Sequence, residues 1–441
     1  MSIYADEKPR YFVLTDISNE PDDEQSLVRL LLYANEFDIE GLVATTSVWL
    51  RDRIRPERIA ERVEAYGQIR DNLLKNADGY PTAEHLLSIM KTGGTRFGME
   101  GVGEGQDTEG SELLIEAVDR DDARPLWVGV WGGPNVLAQA LWKVRKTRSR
   151  EETAAFVAKL RVYTISDQDN SAHWLRNEFP DLFYIVSPSS VDSKDYPKST
   201  WCGISGDNFH GNFEGPDFHL VSNEWLDENV RNDHGPLCAL YPWTKYLMEG
   251  DTPTYLYLIP NGLGVPEKPE FGSWGGRYAW NGEFFGDTID TVVGVDGNSY
   301  STNQATIWRW RQAYQHDFAA RADWTITEPE AANHNPEVVV NGQAGKGPVE
   351  IVIDGGGVVA LDASETTDPD GDELMVKWWI YREAGTYRGD DGAVADPSAW
   401  KTSLTVPYGA SGRSLHVICE VWDNGTPTLS AFRRVIIRAK N

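Results

Sequence analysis

Cysteine is scarce: Cys202, Cys238 and Cys419 are the only three in 441 residues. That count excludes a disulfide framework, leaves room for one pair, and does not decide the redox compartment. Excess basic charge is also missing, with 41 Lys and Arg against 68 Asp and Glu and a formal net charge of -27. A nucleic-acid partner is therefore not expected, because such binders replace phosphate counterions with basic patches. No apolar run is long enough to span a membrane, so no membrane partner is expected. The N-terminal Met-Ser-Ile-Tyr-Ala-Asp-Glu-Lys lacks a basic segment followed by an apolar one. Secretion or a periplasmic location with the signal removed is the expectation, with the cytoplasm left open.

What is present is ample core material: 40% of residues are apolar and 11% aromatic, enough for two domains. Tryptophan is abundant at 17. Trp and Tyr faces stack on the C–H faces of sugar rings, so this composition suits a neutral carbohydrate, and most of the indoles are expected in or near the core.

The segment Tyr11 to Leu32 places three carboxylates where an apolar strand stops and an amphipathic helix begins. Tyr11 to Leu14 reads as a short buried strand that delivers Asp16 to its carboxyl end, where ligands bind in open parallel sheets. Asp22 and Asp23 open a helix with Leu27, Leu30, Leu31 and Ala34 at helical spacing. Oxygen-only donors suit calcium or magnesium. Helix capping accounts equally well for Asp22 or Asp23, but it leaves Asp16 unexplained. On these residues alone the two readings stand level.

Strand, polar turn and helix then repeat. Gly41 to Thr45 ends at Thr46-Ser47, with Trp49 just beyond, and a helix follows around Pro56 to Ile69. Leu126 to Trp131 ends at Gly132-Gly-Pro-Asn135, Leu160 to Ile165 at Ser166-Asp-Gln-Asp169-Asn170, and Tyr255 to Ile259 at Pro260-Asn261-Gly262. This predicts an α/β fold, an open and mostly parallel sheet with helices on both faces, with the polar clusters gathered along one sheet edge. Each cluster also reads as a plain turn: Gly132-Gly133-Pro134 as a tight connection capped by Asn135, and Asp167, Asp169 and Asn170 as turn formers. The Gly/Pro-rich stretch Asn261 to Tyr278, carrying Trp274 and Arg277, is long enough to suggest a functional loop.

The α/β domain is expected over residues 1–330. Over 331–441 short alternating segments (Val349 to Ile353, Val376 to Tyr381, Leu415 to Val421, Arg434 to Arg438) predict a small β-sandwich, immunoglobulin-like in plan. Its Asp368-Pro-Asp-Gly-Asp372 is similar to a calcium loop, and a simple acidic turn explains it as well. Trp378 and Trp379 point to opposite faces of one strand, one toward the core and the other toward a sugar or the first domain.

Leu14-Thr15-Asp16 to Asp22-Asp23 resembles the Asp-Thr-Asp-Pro-Gly-x-Asp-Asp signature of calcium-dependent nucleoside hydrolases, and Gly132-Gly-Pro-Asn135-Val-Leu-Ala resembles their Gly-Gly-Leu-Thr-Asn-Ile-Ala turn. Arg29 to Leu42, Phe179 to Val186 and Gly272-Ser-Trp-Gly-Gly-Arg277 are similar to the nucleoside-hydrolase-like proteins described as cellulose-binding, in which a β-sandwich follows. The resemblance covers nearly the whole chain. It implies a Ca2+ cofactor held by Asp16, Asp22, Asp23, Asn135 and Asp251, with Asp16 also the catalytic base. Trp49, Asp169, Asn170, Asn261, Trp274 and Arg277 are the expected substrate contacts. Three departures stand out: Leu14 replaces the first Asp, five residues separate Asp16 from Asp22 where the signature has three, and Gly250 replaces the His that assists base release.

These features imply a calcium-dependent glycoside hydrolase for a furanosyl or related bond. A noncatalytic binder of cellulose or another plant polysaccharide is the alternative, and a nucleoside hydrolase the third reading. Self-association stays open.

Overall fold

The computed structural model describes residues 7–18, 20–189, 194–390 and 392–440. Eight strands form one sheet in the order β3-β2-β1-β4-β5-β6-β8-β7. They are β1 (Arg10–Thr15), β2 (Asp38–Ala44), β3 (Met90–Thr92), β4 (Leu126–Val130), β5 (Leu160–Thr164), β6 (Phe183–Val186), β7 (Tyr278–Trp280) and β8 (Phe285–Asp287). Only the pairing of β7 with β8 is antiparallel. Helices α1 (Pro21–Leu32), α2 (Pro56–Asn76), α3 (Ala83–Ser88), α4 (Glu109–Asp119), α5 (Asn135–Thr147), α6 (Arg150–Ala158) and α7 (Ser171–Glu178) lie between the strands and cover both faces. Strand β1 is buried at all six positions, as a central parallel strand requires.

Register decides where function sits. Thr15 lies beside Ala44, Leu14 beside Val130, and Val130 beside Thr164, so β1, β2, β4 and β5 end together. The turns read from the sequence at these four strand ends therefore do converge.

Tyr255 to Ile259 differs from the expected strand. Pro253–Leu256 is one helical turn, with Leu256 N–H bonded to Thr252 O at 3.1 Å and Tyr257 N–H to Pro253 O at 3.1 Å. The run is buried throughout. A short apolar run buried on every side carries no period that separates strand from helix. Its end, Pro260, faces Pro9, Arg124 and Trp127 near the opposite, N-terminal ends of the strands.

Beyond the sheet, β9 (Asp290–Val293) and β10 (Ser299–Thr302) form a ribbon. A second core lies between a four-stranded sheet, β11 (Val349–Ile353), β16 (Ser430–Ala439), β15 (Ser414–Trp422) and β13 (Met375–Ile380), and the pair β12 (Val358–Asp362) and β14 (Lys401–Thr405). Trp378 is in that core. Trp379 faces the α/β part, its ring 5.8 Å from Trp310. Among the described residues no helix is long and apolar enough to cross a membrane.

Candidate active site

The strand ends floor a cavity of about 480 Å³ lined by Asp16, Asp22, Asp23, Trp49, Trp131, Gln168 and Asp251. The four turns are laced together. Ser47 Oγ donates to Asp16 Oδ2 at 2.5 Å while accepting from Trp49 N–H at 3.0 Å. Gly133 N–H bonds to Thr46 O at 2.9 Å and Val48 N–H to Gln168 O at 2.8 Å. A Cβ on Gly132 would lie 2.6 Å from Asp16 Oδ1, and one on Gly133 2.3 Å from Asp169 Oδ2. The double glycine is thus what admits these carboxylates.

Helix α1 supplies Asp22 and Asp23 in its first turn. Its N-cap is Glu20, whose side chain makes no capping bond. The two aspartates therefore face the positive helix end without serving as the cap. The distal acid Asp251 comes from a segment clamped to the same helix. Arg29 pairs with Glu249 at 2.8 Å, both side chains fully buried. Thr252 Oγ1 donates to Ser26 Oγ at 3.0 Å, and Tyr255 Oη donates to Ser26 O at 3.0 Å. Thr254 N–H and Oγ1–H hold the Asp251 carbonyl at 3.0 and 2.7 Å.

The result is a triple, Asp22, Asp23 and Asp251, with carboxylate oxygens within 4.8 Å of one another. Burial holds all three carboxyls well above the usual carboxylate range. Neighbouring acids push in the same direction: Glu20 and Asp16 on Asp22, Asp16 and Asp22 on Asp23, and Asp23 and Asp22 on Asp251. Asp251 Oδ2 is buried without a hydrogen-bond partner among the described residues. An orphaned buried oxygen among mutually repelling carboxylates is the environment a hard divalent cation satisfies, and the all-oxygen donor set fits one.

Asp16 stands in the same cavity but outside that triple, tied to Ser47. Burial raises its carboxyl to about 6, against the lowering effect of the Ser47 hydrogen bond. The expanded connection between Asp16 and Asp22 brings Glu20 into the cavity. Asn19 in that connection is outside the described residues.

Other expected site residues lie elsewhere. The Asn135 amide donates to Thr46 Oγ1 at 3.2 Å and Arg96 O at 2.9 Å, and the residue does not line the cavity. Asp169 does not line the cavity; its Oδ1 accepts from Ser171 N–H at 2.7 Å, and its Oδ2 is buried without a partner among the described residues. Asn170 accepts from Met99 N–H at 2.9 Å. Gln168, one residue earlier, is the member of that turn that reaches the site.

Asn261, Trp274 and Arg277 also lie away from it. Asn261 O accepts from Phe432 N–H at 3.1 Å, and Arg434 donates to Leu263 O at 2.7 Å and Phe271 O at 2.9 Å. Arg277 is bonded to Asp290 at 2.7 Å, which also accepts from Tyr381 Oη at 2.6 Å. Trp274 is fully buried in the α/β core. This Gly/Pro-rich loop is the seam against the sandwich, and close backbone approach, rather than a ligand, accounts for Gly262, where a Cβ would lie 1.8 Å from Phe432 O.

Residues the sequence did not single out complete the walls: Glu20, Tyr196, Trp201, Asp207, Phe209, His210, Tyr246 and Leu247. Trp49 is 42% exposed and Phe209 72%, so the cavity has an aromatic rim. The signal for part of this wall was Asp207-Asn-Phe-His210 after Gly206, an acid able to hold its own turn. Asp207 Oδ1 accepts from Phe209 N–H at 2.8 Å.

Residues 10–278 match the family described as "Cellulose-binding Sde182, nucleoside hydrolase-like domain", and residues 358–439 match "Cellulose-binding protein Sde0182, C-terminal domain". Among solved structures, a nucleoside hydrolase-related hypothetical protein from Saccharophagus degradans, described as associated with carbohydrate metabolism, is 37% identical. That comparison covers 98% of this chain and 100% of that one, with a TM-score of 0.84. The type III effector XopQ, solved with adenosine diphosphate ribose, is 10% identical over 73% of this chain and 95% of its own, with a TM-score of 0.34. The effector XOO4466 gives 12% identity over 73% and 95%, also at 0.34. At those scores neither likeness bears on function. No curated protein matches the chain. The long first match and the end-to-end likeness to the Saccharophagus protein show that this chain belongs to the nucleoside-hydrolase-like family described as cellulose-binding Sde182.

Proposed function

We propose that this protein is a calcium-dependent glycoside hydrolase that cleaves a furanosyl or related glycosidic bond of a carbohydrate. The observation that carries the reading is Asp16: a buried carboxylate, oriented by Ser47, in one cavity with a cation-fitting triple and an aromatic rim. Asp22, Asp23 and Asp251 would hold the ion, which would supply fixed positive charge for sugar hydroxyls and for the nucleophile. Asp16, titrating near 6, is half or more ionised at neutral pH and takes the proton of the attacking water. Trp49 offers a face to the sugar ring, whose anomeric carbon gains oxocarbenium character as its bond breaks. The names of the matching families and of the Saccharophagus protein support carbohydrate as the ligand.

Nucleobase release is the weaker reading, because position 250, where the resembling nucleoside hydrolases carry a His, is glycine and offers no proton donor. A Cβ there would lie 2.7 Å from Leu247 Cδ1, 2.9 Å from Asp22 Oδ2 and 3.2 Å from the Trp201 ring. The exposed aromatic rim favours a second reading, retention of polysaccharide without cleavage. Reducing-sugar release across a panel of furanosides, pyranosides and oligosaccharides separates them. Wild type is expected to release sugar with calcium and to stop with chelator, and Asp16→Asn to be about 10²–10⁴-fold slower. Equal rates in both proteins sink the base assignment. Retention on insoluble cellulose with no release from any substrate supports the binding reading instead.

A further inference from the structure

Cleavage of a glycosidic bond needs a proton for the departing oxygen, and position 250, where the resembling nucleoside hydrolases carry a His, is glycine here. Gly250 is walled in by Leu247, Asp22 and Trp201. Of the cavity's other side chains, Tyr196 is a poor acid because burial raises its hydroxyl far above its ordinary value, indoles do not donate protons to substrate, and Glu20, beside Asp16 and Asp207, is the competing acid.

One histidine faces this cavity, from a different segment. His210 Nδ1 lies 2.8 Å from Asp207 Oδ2. Asp207 is 5% exposed in its side chain and His210 44%, so a buried carboxylate holds an imidazole that solvent and ligand can still reach. The turn carrying them is built to be stiff. Asp207 Oδ1 accepts from the backbone N–H groups of Phe209 at 2.8 Å and His210 at 3.2 Å. Asn208 N–H bonds to Tyr246 O at 2.8 Å, and Ser205 Oγ donates to Met248 O at 2.9 Å. Phe209 packs edge-on against the imidazole at 4.9 Å between centroids. With Nδ1 engaged by Asp207, Nε2 is the nitrogen open to a ligand. A carboxylate on Nδ1 keeps a proton on that nitrogen, so Nε2 is the site of the exchangeable proton, a donor in the imidazolium and an acceptor in the neutral ring, the atom a general acid works through.

Resting on the hydrolase reading above, we propose that His210 is the catalytic acid that protonates the leaving group, with Asp207 as its positioning residue. The glycosidic C–O bond breaks as the departing oxygen takes the proton from His210 Nε2. The water oxygen bonds to the anomeric carbon and gives one proton to Asp16. His210 is left neutral and Asp16 protonated, and passage of that proton through solvent to His210 restores both. The net change is addition of one water, with no redox step.

The test compares one sugar carrying two leaving groups, a 4-nitrophenyl glycoside and the corresponding methyl glycoside or oligosaccharide, in full-length protein with calcium. Nitrophenolate departs without a proton, while an alkoxide needs one. His210→Gln is expected to lower kcat on the alkyl or sugar leaving group by about 10²-fold or more and on nitrophenyl by less than about 10-fold. Asp207→Asn should give the same pattern with smaller losses. Calcium affinity and Tm should stay at wild-type values in His210→Gln, which guards against misfolding. Equal losses on both leaving groups, or none on either, overturn the acid assignment while leaving hydrolysis intact. A wild type inactive on every substrate overturns both.

Discussion

Asp22, Asp23 and Asp251 in the strand-end cavity, and Asp368, Asp370 and Asp372 in the sandwich turn, each bring carboxylate oxygens within 4.8 Å of one another, yet their surroundings differ. The first set comes from two distant segments joined by a buried ion pair and sits on the floor of a cavity. Asp23 and Asp251 are buried, and one oxygen of Asp251 has no partner among the described residues. The second set is local. Asp368 Oδ1 accepts from the Asp370 and Asp372 N–H groups at 2.9 and 3.1 Å and Asp370 pairs with His334 at 2.9 Å; Asp368 Oδ2 also lacks a partner among the described residues, but none of the three residues is buried and Asp370 is exposed. Composition is the same in both; burial is what turns three acids into a demand for positive charge. Exposed carboxylates are screened by water, and buried ones need protons or a cation.

The sharpest way to break this comparison is to remove one acid from each triple. Asp251→Asn is expected to reduce glycoside turnover by about 10²-fold or more, the scale of lost metal-derived charge stabilisation. Asp370→Asn should leave turnover within about twofold, since substitutions away from a site are near neutral. Comparable losses in both would erase the distinction.

Next in size is the pH dependence of stability in chelator. The cavity acids bind protons more tightly in the folded than in the unfolded chain. Their folded pKa values are raised, to about 6 for Asp16 and well above the usual range for Asp22, Asp23 and Asp251. The folded state therefore carries more protons above the ordinary carboxylate value of about 4, and unfolding becomes easier as pH rises through that window. Thermal melts in chelator should show Tm falling from pH 5 to pH 8, with calcium abolishing the fall. A Tm that rises with pH in chelator contradicts the account.

Gly250→His sharpens the cavity side of the comparison. Its side chain must shift Leu247 and Asp22, and denaturant unfolding should show a loss of about 1–3 kcal/mol, the usual cost of overpacking. Gain of ribose release from inosine would contradict the packing argument. The smallest effect is expected from Asp372→Asn in the sandwich turn. Its stability should stay within about 0.5 kcal/mol of wild type by the same measurement.

Much of the cavity floor was legible in the sequence because it is periodic. Strands β1, β2, β4 and β5 each end in a turn whose residues are adjacent in the chain, so Asp16, Trp49 and the Gly132-Gly133 pair announce themselves. The α1 acids follow from the same logic. The reading failed where chain order and space part company. Trp274 and Arg277 look like loop residues with chemistry to spare, but what consumes them, the α/β core around Trp274 and Asp290 beside Arg277, is invisible in a local window. Tyr255 to Ile259 is apolar on all sides and has no period to read. The wall from Tyr196 to Leu247 runs through irregular segments with short helical turns, so Trp201, Asp207 and His210 reach the cavity only through tertiary packing. Asp167 and Asp169 turned out to be turn formers, held by Arg176 at 2.8 Å and Ser171 at 2.7 Å respectively.

Calorimetric titration of calcium into chelator-treated full-length protein tests the central claim most directly. The account predicts a tight site in wild type that survives in Asp370→Asn and disappears in Asp251→Asn. Calcium binding that persists in Asp251→Asn and is lost in Asp370→Asn would contradict it, and would move the cation from the cavity to the sandwich turn.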